Sequence, residues 1–110
     1  MKITGIKIYA AEYAQTSKSP TNKKWVFLKM ETDEGIHGWG EVGSSVNVSE
    51  NFMATAIKEV APQIIGENPM DIDRLWNKIY RMFSYMGSRG FTTSLTAGFD
   101  IALWDILGKK

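Results

Sequence analysis

Residues 25–42 read WVFLKMETDEGIHGWGEV and carry the pattern of two strands joined by a tight turn. Apolar side chains recur at every second position from Val26 to Met30, which is typical of a strand with one buried face. The DEG turn that follows supplies the glycine that a tight hairpin needs. In the returning run Gly38 and Gly40 share one face, which leaves that face bare for close packing. The stretch therefore predicts a β-hairpin with a partner against its glycines.

The same periodicity argument extends in both directions from the hairpin. Asn47 with Glu50 fits a helix-capping pair, Pro62 is expected to break the first helix, and Pro69 suits a first helical position. We expect strands at about residues 2–13, 24–34 and 36–42. We expect helices at about residues 47–65, 69–85 and 92–109. The resulting fold is α+β, with a three-stranded antiparallel meander followed by a helical bundle.

The predicted helices carry different apolar patterns. The second helix is expected to bury one face, formed by Ile72, Leu75, Trp76, Ile79, Tyr80 and Phe83. The last helix has one apolar stripe of Leu95, Phe99, Ala102, Leu103 and Ile106. It also has a second stripe of Ile101, Trp104 and Leu107. A helix that is apolar on most sides must be buried on most sides. The two stripes of the last helix therefore predict that a further domain or subunit packs against it.

The composition excludes several classes of protein. The chain has 110 residues, 44% of them hydrophobic, which suits one globular domain. A net charge of +1 argues against a nucleic-acid partner, and the absence of cysteine excludes disulfides and thiolate zinc sites. Lys7 interrupts the first apolar run, and no stretch has the roughly 20 apolar residues that span a bilayer. We therefore expect a cytoplasmic protein without a membrane partner.

The residues contain no complete active site. Residues 38–43, GWGEVG, match a dinucleotide-binding pattern, but that site needs a helix directly after the glycine turn, so we interpret them as strand glycines. His37, the single histidine, is interpreted as an edge residue, and Glu41 as part of an ion pair or cap. The sequence shows no metal-ligand spacing, Ser-His-Asp set or phosphate loop.

Several stretches together resemble one known family. They are MKITGIKIYAAEY at the start, the hairpin of residues 25–42, IIGENPMDIDRLW at residues 64–76, and SLTAGFDIALWDILGKK at residues 94–110. The chain resembles the N-terminal capping domain of the mandelate racemase/muconate lactonizing enzyme branch of the enolase superfamily. Within that branch it is similar to sugar-acid dehydratases of the galactonate and gluconate type.

The resemblance implies that the chemistry lies outside this chain. In the family the catalytic bases and metal ligands lie on a (β/α)₈ barrel, which is absent from residues 1–110. The resemblance therefore implies no catalytic residue and no metal ligand here, and an inactive segment when residues 1–110 stand alone. Mg²⁺ belongs to the intact enzyme, a homo-oligomer that removes a proton next to a carboxylate and then loses water.

What the resemblance does assign to this chain is a pair of substrate-specificity loops. They correspond to about residues 13–25 and 41–48. In the first loop, lysines at 18, 23 and 24 are expected to attract the carboxylate of a sugar-acid substrate. In the second, hydroxyl and amide groups are expected to bond its hydroxyls. These candidate residues are Lys18, Lys23, Lys24, Ser44, Ser45 and Asn47.

Two alternatives stay open. The first keeps the family and changes the reaction to that of a racemase, epimerase or cycloisomerase, which only the barrel bases would distinguish. The second is a free-standing, non-catalytic α+β domain that acts as a binding or structural module. A reading frame that continues into a barrel would exclude the second alternative.

Overall fold

The computed structural model describes residues 1–12, 24–43, 50–87 and 89–110. The strands are β1 (Ile3–Glu12), β2 (Lys24–Thr32) and β3 (His37–Val42). The helices are α1 (Glu50–Val60), α2 (Ile72–Met82) and α3 (Phe91–Lys109), and a 3₁₀ turn (Ala61–Gln63) follows α1. The strands form one antiparallel sheet in the order β1-β2-β3. The predicted α+β meander followed by helices is confirmed.

The sheet buries the face that the alternating pattern predicts. Leu28 and Met30 on β2 are fully buried, while Lys29 between them lies on the opposite face. The turn between β2 and β3 contains Gly35 with a φ of +79°, a conformation that glycine adopts without steric cost. The hairpin therefore forms where the DEG turn places it.

One apolar core joins the sheet to all three helices. It consists of Ile3, Val26, Leu28, Met30, Val42, Met53, Ile57, Val60, Ile64, Ile72, Leu75, Ile79, Leu95, Phe99, Ala102, Leu103 and Ile106. The largest of these fully buried side chains is Phe99, in the middle of α3. The first apolar stripe of the last helix is thus confirmed as a core stripe.

The bare face of β3 is where α3 packs. A Cβ atom added at Gly40 would overlap the carbonyl oxygen of Gly98, and one added at Gly38 would overlap that of Ala102. The approach is close on both sides, since a Cβ at Gly98 would lie 2.5 Å from Cγ2 of Val42. Glycines on both elements allow the strand and helix backbones to meet directly.

Helix boundaries differ from the predicted ones in the connection between α1 and α2. Helix α1 ends at Val60 and Pro62 lies in the 3₁₀ turn that follows, which confirms the predicted break at Pro62 and ends the α-helix short of residue 65. The expected cap, Asn47, lies outside the described residues. Helix α2 begins at Ile72, so the prediction that Pro69 is its first residue is wrong.

The late start of α2 has a local cause. Oδ1 of Asn68 accepts a hydrogen bond of 2.9 Å from the backbone N–H of Met70, which holds residues 68–70 in a turn. At the other end, the N–H of Phe83 donates to the carbonyl of Tyr80 at 3.3 Å, an i to i+3 bond that closes the helix near Met82. The helix is therefore shorter than its predicted span of 69–85.

Candidate functional site

Both predicted specificity loops are anchored at the same end of the sheet. Glu12, the last residue of β1, pairs with Lys24, the first residue of β2. Two positions further along β2, Val26 pairs with Val42, the last residue of β3. The end of β1, the start of β2 and the end of β3, where the two predicted loops attach, therefore lie at one end of the sheet.

The candidate residues themselves fall mostly beyond what the structure describes. Lys18, Lys23, Ser44, Ser45 and Asn47 lie outside the described residues. The backbone of Lys24 is the first residue of β2, at the end of the sheet where both predicted loops attach. Their roles in substrate recognition stay predictions.

Helix α3 supports the start of the second loop. A Cβ at Gly43, the residue after β3, would lie 3.8 Å from Oγ of Ser94 in the first turns of α3. The backbone carbonyl of Glu41 faces Gly98 of the same helix. The second loop therefore begins against a long, well-packed helix.

The free edge of β3 is covered by side chains from the last turns of α3. The backbone N–H of Trp39 donates to Oδ2 of Asp105 at 2.9 Å, and Nζ of Lys109 donates to the carbonyl of His37 at 2.8 Å. Asp105 and Lys109 also form an ion pair of 2.9 Å. Hydrogen bonds from Lys109 and from the Trp39 N–H hold the pKa of the Asp105 carboxyl below its ordinary value. These contacts protect an edge that could otherwise pair with another strand.

Asp105→Ala is expected to lower the free energy of unfolding by about 1 kcal/mol, because an exposed, charge-assisted bond is lost. The folded pKa of Asp105 lies below its unfolded value of about 3.9. The stabilisation is therefore present above that value and disappears as the pH falls through the folded pKa. Urea unfolding from neutral to acidic pH measures the difference between the two proteins. Glu59→Ala on α1 is the control, and a difference that stays constant with pH would contradict the assignment.

The described residues do not bring together the ligands of a metal site. In residues 1–12, 24–43, 50–87 and 89–110 no group of three or more His, Cys, Asp or Glu side chains could hold a metal ion.

On the outer face of the sheet, Trp39 packs against Tyr9 with ring centroids 5.3 Å apart, and Nζ of Lys29 lies 5.8 Å from the Trp39 ring. His37 meets the same ring edge-on at 6.2 Å.

A cleft between α2 and α3 is a feature that the sequence analysis missed. Trp76 and Tyr80 were expected in the buried face of α2, yet they are 37% and 43% exposed. Their rings stack with centroids 5.0 Å apart and an interplanar angle of 12°. Trp76 and Tyr80 each follow a core residue, Leu75 or Ile79, by one position, so they lie beside the buried face of α2 and not in its middle. This offset is the sequence signal that separates them from the core residues.

The second apolar stripe of α3 is exposed in this chain. Ile101, Trp104 and Leu107 are 50%, 54% and 41% exposed. They lie on the same helix as the fully buried Phe99 and Leu103, so α3 is apolar on both its core side and its outer side. Across the described ranges, no helix is long and apolar enough to cross a membrane.

Comparison with known proteins identifies relatives along nearly the whole chain. The D-galactonate dehydratase of Xanthomonas euvesicatoria pv. vesicatoria (strain 85-10) is 39% identical over 109 residues, which cover 99% of this chain and 25% of that protein. The D-galactonate dehydratase of Verminephrobacter eiseniae (strain EF01-2) is 43% identical over 86 residues, 78% of this chain and 22% of that protein. The chain thus spans about a quarter of the length of these relatives.

Solved structures agree with the sequence relatives. A 3,6-anhydro-D-galactonate cycloisomerase from Zobellia galactanivorans superposes with a TM-score of 0.85 at 26% identity, over 99% of this chain and 29% of that one. An enolase-superfamily member from Salmonella Typhimurium gives a TM-score of 0.78 at 34% identity, over 98% and 26%. The family model for the mandelate racemase/muconate lactonizing enzyme N-terminal domain matches residues 6–110. With its meander, its helices and its relatives in agreement, this chain belongs to the mandelate racemase/muconate lactonizing enzyme N-terminal domain family of the enolase superfamily.

Proposed function

We propose that this chain is the capping, substrate-specificity domain of a sugar-acid dehydratase. The observation that carries the proposal is the common origin of the two loops at one end of the sheet, where Glu12 pairs with Lys24 and Val26 with Val42. Two loops that leave from one edge can enclose one small substrate from two sides and exclude water from it. The similarity to D-galactonate dehydratases over 99% of the chain supports the substrate class.

In this proposal the chain contributes recognition and the rest of a longer protein contributes chemistry. Mg²⁺ prefers octahedral oxygen ligands, and the described residues do not offer such a set. As the family resemblance implies, the base that removes the proton next to the carboxylate, the metal ligands and the loss of water are assigned to a barrel domain of the same protein. A sugar-acid ligand, a homo-oligomeric assembly and a cytoplasmic location are proposed with it on the strength of the family resemblance.

The exposed face of α3 favours a capping domain over a free-standing module. Ile101 and Leu107 would bury their exposed apolar surface if a second domain covered this side of the helix. A module that functions alone would keep the stripe in water, where contiguous apolar surface favours association.

A second reaction within the family is favoured by one specific observation. The cycloisomerase from Zobellia galactanivorans has a cap that superposes with a TM-score of 0.85. The same cap fold therefore serves a different reaction, and a racemase, epimerase or cycloisomerase is the alternative proposal. Assaying the full reading frame against a panel of sugar acids separates the two, because a dehydratase releases a 2-keto-3-deoxy acid whereas the alternatives yield isomers.

Within the full-length protein, Ser45→Ala is expected to change the ratio of kcat/KM between epimeric sugar acids by about tenfold, since one hydroxyl contact is lost. The measurement is steady-state kinetics with epimers that differ at a single hydroxyl. Ser84→Ala is the matched control, because Oγ of Ser84 bonds the carbonyl of Arg81 at the end of α2 and not a loop residue. Identical specificity profiles for Ser45→Ala and the unchanged protein would contradict the assigned role of the second loop.

A further inference from the structure

The cleft between α2 and α3 has the chemistry of a cation site. It encloses about 200 Å³, and its described lining includes Trp76, Tyr80, Phe83, Thr96 and Asp100. None of its described lining residues is basic. An anionic ligand would therefore meet a carboxylate without a compensating positive charge.

One wall of the cleft is aromatic. Trp76 and Tyr80 stack almost in parallel, at 12°, and both rings remain partly exposed. The face of an aromatic ring carries negative potential and attracts a cation that lies against it. A planar cation such as guanidinium can stack on this surface as well as be attracted to it.

The opposite wall presents a carboxylate. Asp100 is half-buried on α3, and burial together with the nearby negative charge of Asp73 raises the pKa of its carboxyl. The indole N–H of Trp104, on the same helix, hydrogen-bonds the carboxylate and opposes that rise. Within the described part of the chain, no lysine or arginine forms an ion pair with Asp100. A cation in the cleft would place a positive charge beside this carboxylate.

The threonine hydroxyls on α3 favour a ligand that donates hydrogen bonds. Oγ1 of Thr96 donates to the carbonyl of Thr92 at 2.8 Å, and Oγ1 of Thr92 donates to the carbonyl of Gly87 at 3.0 Å. With their protons directed to the backbone, both hydroxyls have only acceptor lone pairs left for a ligand. A guanidinium group has five N–H donors and no acceptor, so it matches this set.

We propose that the α2–α3 cleft binds a guanidinium group, stacked on the Trp76–Tyr80 pair and hydrogen-bonded to the carboxylate of Asp100. This group comes either from a free guanidino compound or from an arginine side chain of a polypeptide segment. The site is independent of the proposed dehydratase function, because none of its residues lies in the two specificity loops.

An NMR titration of the isotope-labelled chain tests the site directly. N-acetyl-arginine amide is expected to shift the Trp76 indole and Thr96 amide signals in a saturable manner. N-acetyl-citrulline amide has the same shape without the charge and is expected to shift neither. Equal shifts from both compounds, or no saturable shift from any arm of the titration, would overturn the proposal.

Two further arms of the titration distinguish the source of the group. Agmatine is a free guanidino compound, and a short acetylated peptide with one central arginine represents a polypeptide segment. Saturation by agmatine as tight as that by the peptide supports a free ligand. A higher affinity for the peptide than for agmatine supports an arginine side chain as the ligand. Either result supports the guanidinium site.

Substitutions in the two walls give the quantitative check. Asp100→Asn is expected to weaken binding of N-acetyl-arginine amide about tenfold, because a charge-assisted hydrogen bond becomes neutral. Trp76→Leu removes the stacking surface and is expected to weaken it by a similar factor, about tenfold. Glu59→Gln on α1 and Trp39→Leu on the sheet are the matched controls and are expected to leave binding unchanged. Unchanged affinity in both Asp100→Asn and Trp76→Leu would contradict the assignment.

Discussion

Replacing Gly40 by alanine is expected to destabilise the chain by about 3 kcal/mol, the upper end of what overpacking costs. The added methyl would overlap the carbonyl oxygen of Gly98 and lie 3.3 Å from the backbone nitrogen of Ala102. These are backbone atoms of α3, so relief requires the whole helix to move away from the sheet. Displacing the helix would also open the core around Phe99.

Urea unfolding followed by circular dichroism measures the loss, and an insoluble or unfolded Gly40→Ala chain is also an expected result. Gly38→Ala is expected to behave alike, because its methyl would overlap the carbonyl of Ala102. Gly108→Ala, also on α3, is the control, because apart from its own turn of helix nothing lies within 4 Å of the added methyl. It is expected to gain up to about 1 kcal/mol from helix propensity. A Gly40→Ala chain with an unchanged unfolding midpoint would show that α3 does not pack on β3 in this way.

The position of Gly38 and Gly40 is also where the sequence was most informative about the fold. A period of two places side chains on alternate faces, so a missing side chain at every second position marks a face that another element approaches. The alternation of Val26, Leu28 and Met30 identified that face as the buried one. These local rules determined the meander and the core stripe of α3 because both depend on residue spacing alone.

The start of α2 could not be predicted from the same rules. Pro69 is compatible with a first helical position, but the Met70 N–H donates a hydrogen bond to Oδ1 of Asn68 and favours a turn there. The helix begins three residues later. Sequence patterns do not show whether residues 68–70 form a first helical turn or a turn closed by the Asn68 side chain. Boundaries of this kind depend on which choice the surrounding structure stabilises.

The candidate sites were harder to predict for a different reason. Trp76 is large and mostly apolar, so periodicity assigns it with Leu75 to a buried face. Its offset of one position from the core line hints at a border position, and the packing of α3 shows that it lines a cleft. The specificity loops, in turn, act on a substrate that other residues bind and convert in the proposed enzyme. Their anchors at one sheet edge follow from strand pairing, but the contribution of Ser45 or Lys18 depends on groups outside this chain.

A pair of leucines on α3 separates a capping domain from a free-standing module. In the 110-residue chain, Leu103→Ala is expected to cost about 3 kcal/mol, because the side chain is fully buried. In the same chain Leu107→Ala is expected to cost much less, about 1 kcal/mol or below, since Leu107 stays 41% exposed. If a barrel domain covers the stripe of Ile101, Trp104 and Leu107, the full-length protein should lose about 2–5 kcal/mol in the Leu107→Ala variant as well.

The comparison of the two leucines in two lengths of chain makes this test specific. Both substitutions remove the same atoms from the same helix, so their costs differ mainly through how much of each side chain is buried. Within each length of chain, Leu103→Ala gives the cost of a leucine that is fully buried in the core, against which the cost of Leu107→Ala is read. Chemical unfolding of all four variants gives their free energies of unfolding, with Leu103→Ala as the internal standard. The additional cost of Leu107→Ala in the long protein then measures whether a second domain covers the outer stripe of α3. If Leu107→Ala leaves the full-length protein as stable as the unchanged one, the outer stripe of α3 faces solvent there too, and the capping arrangement proposed for this chain is wrong.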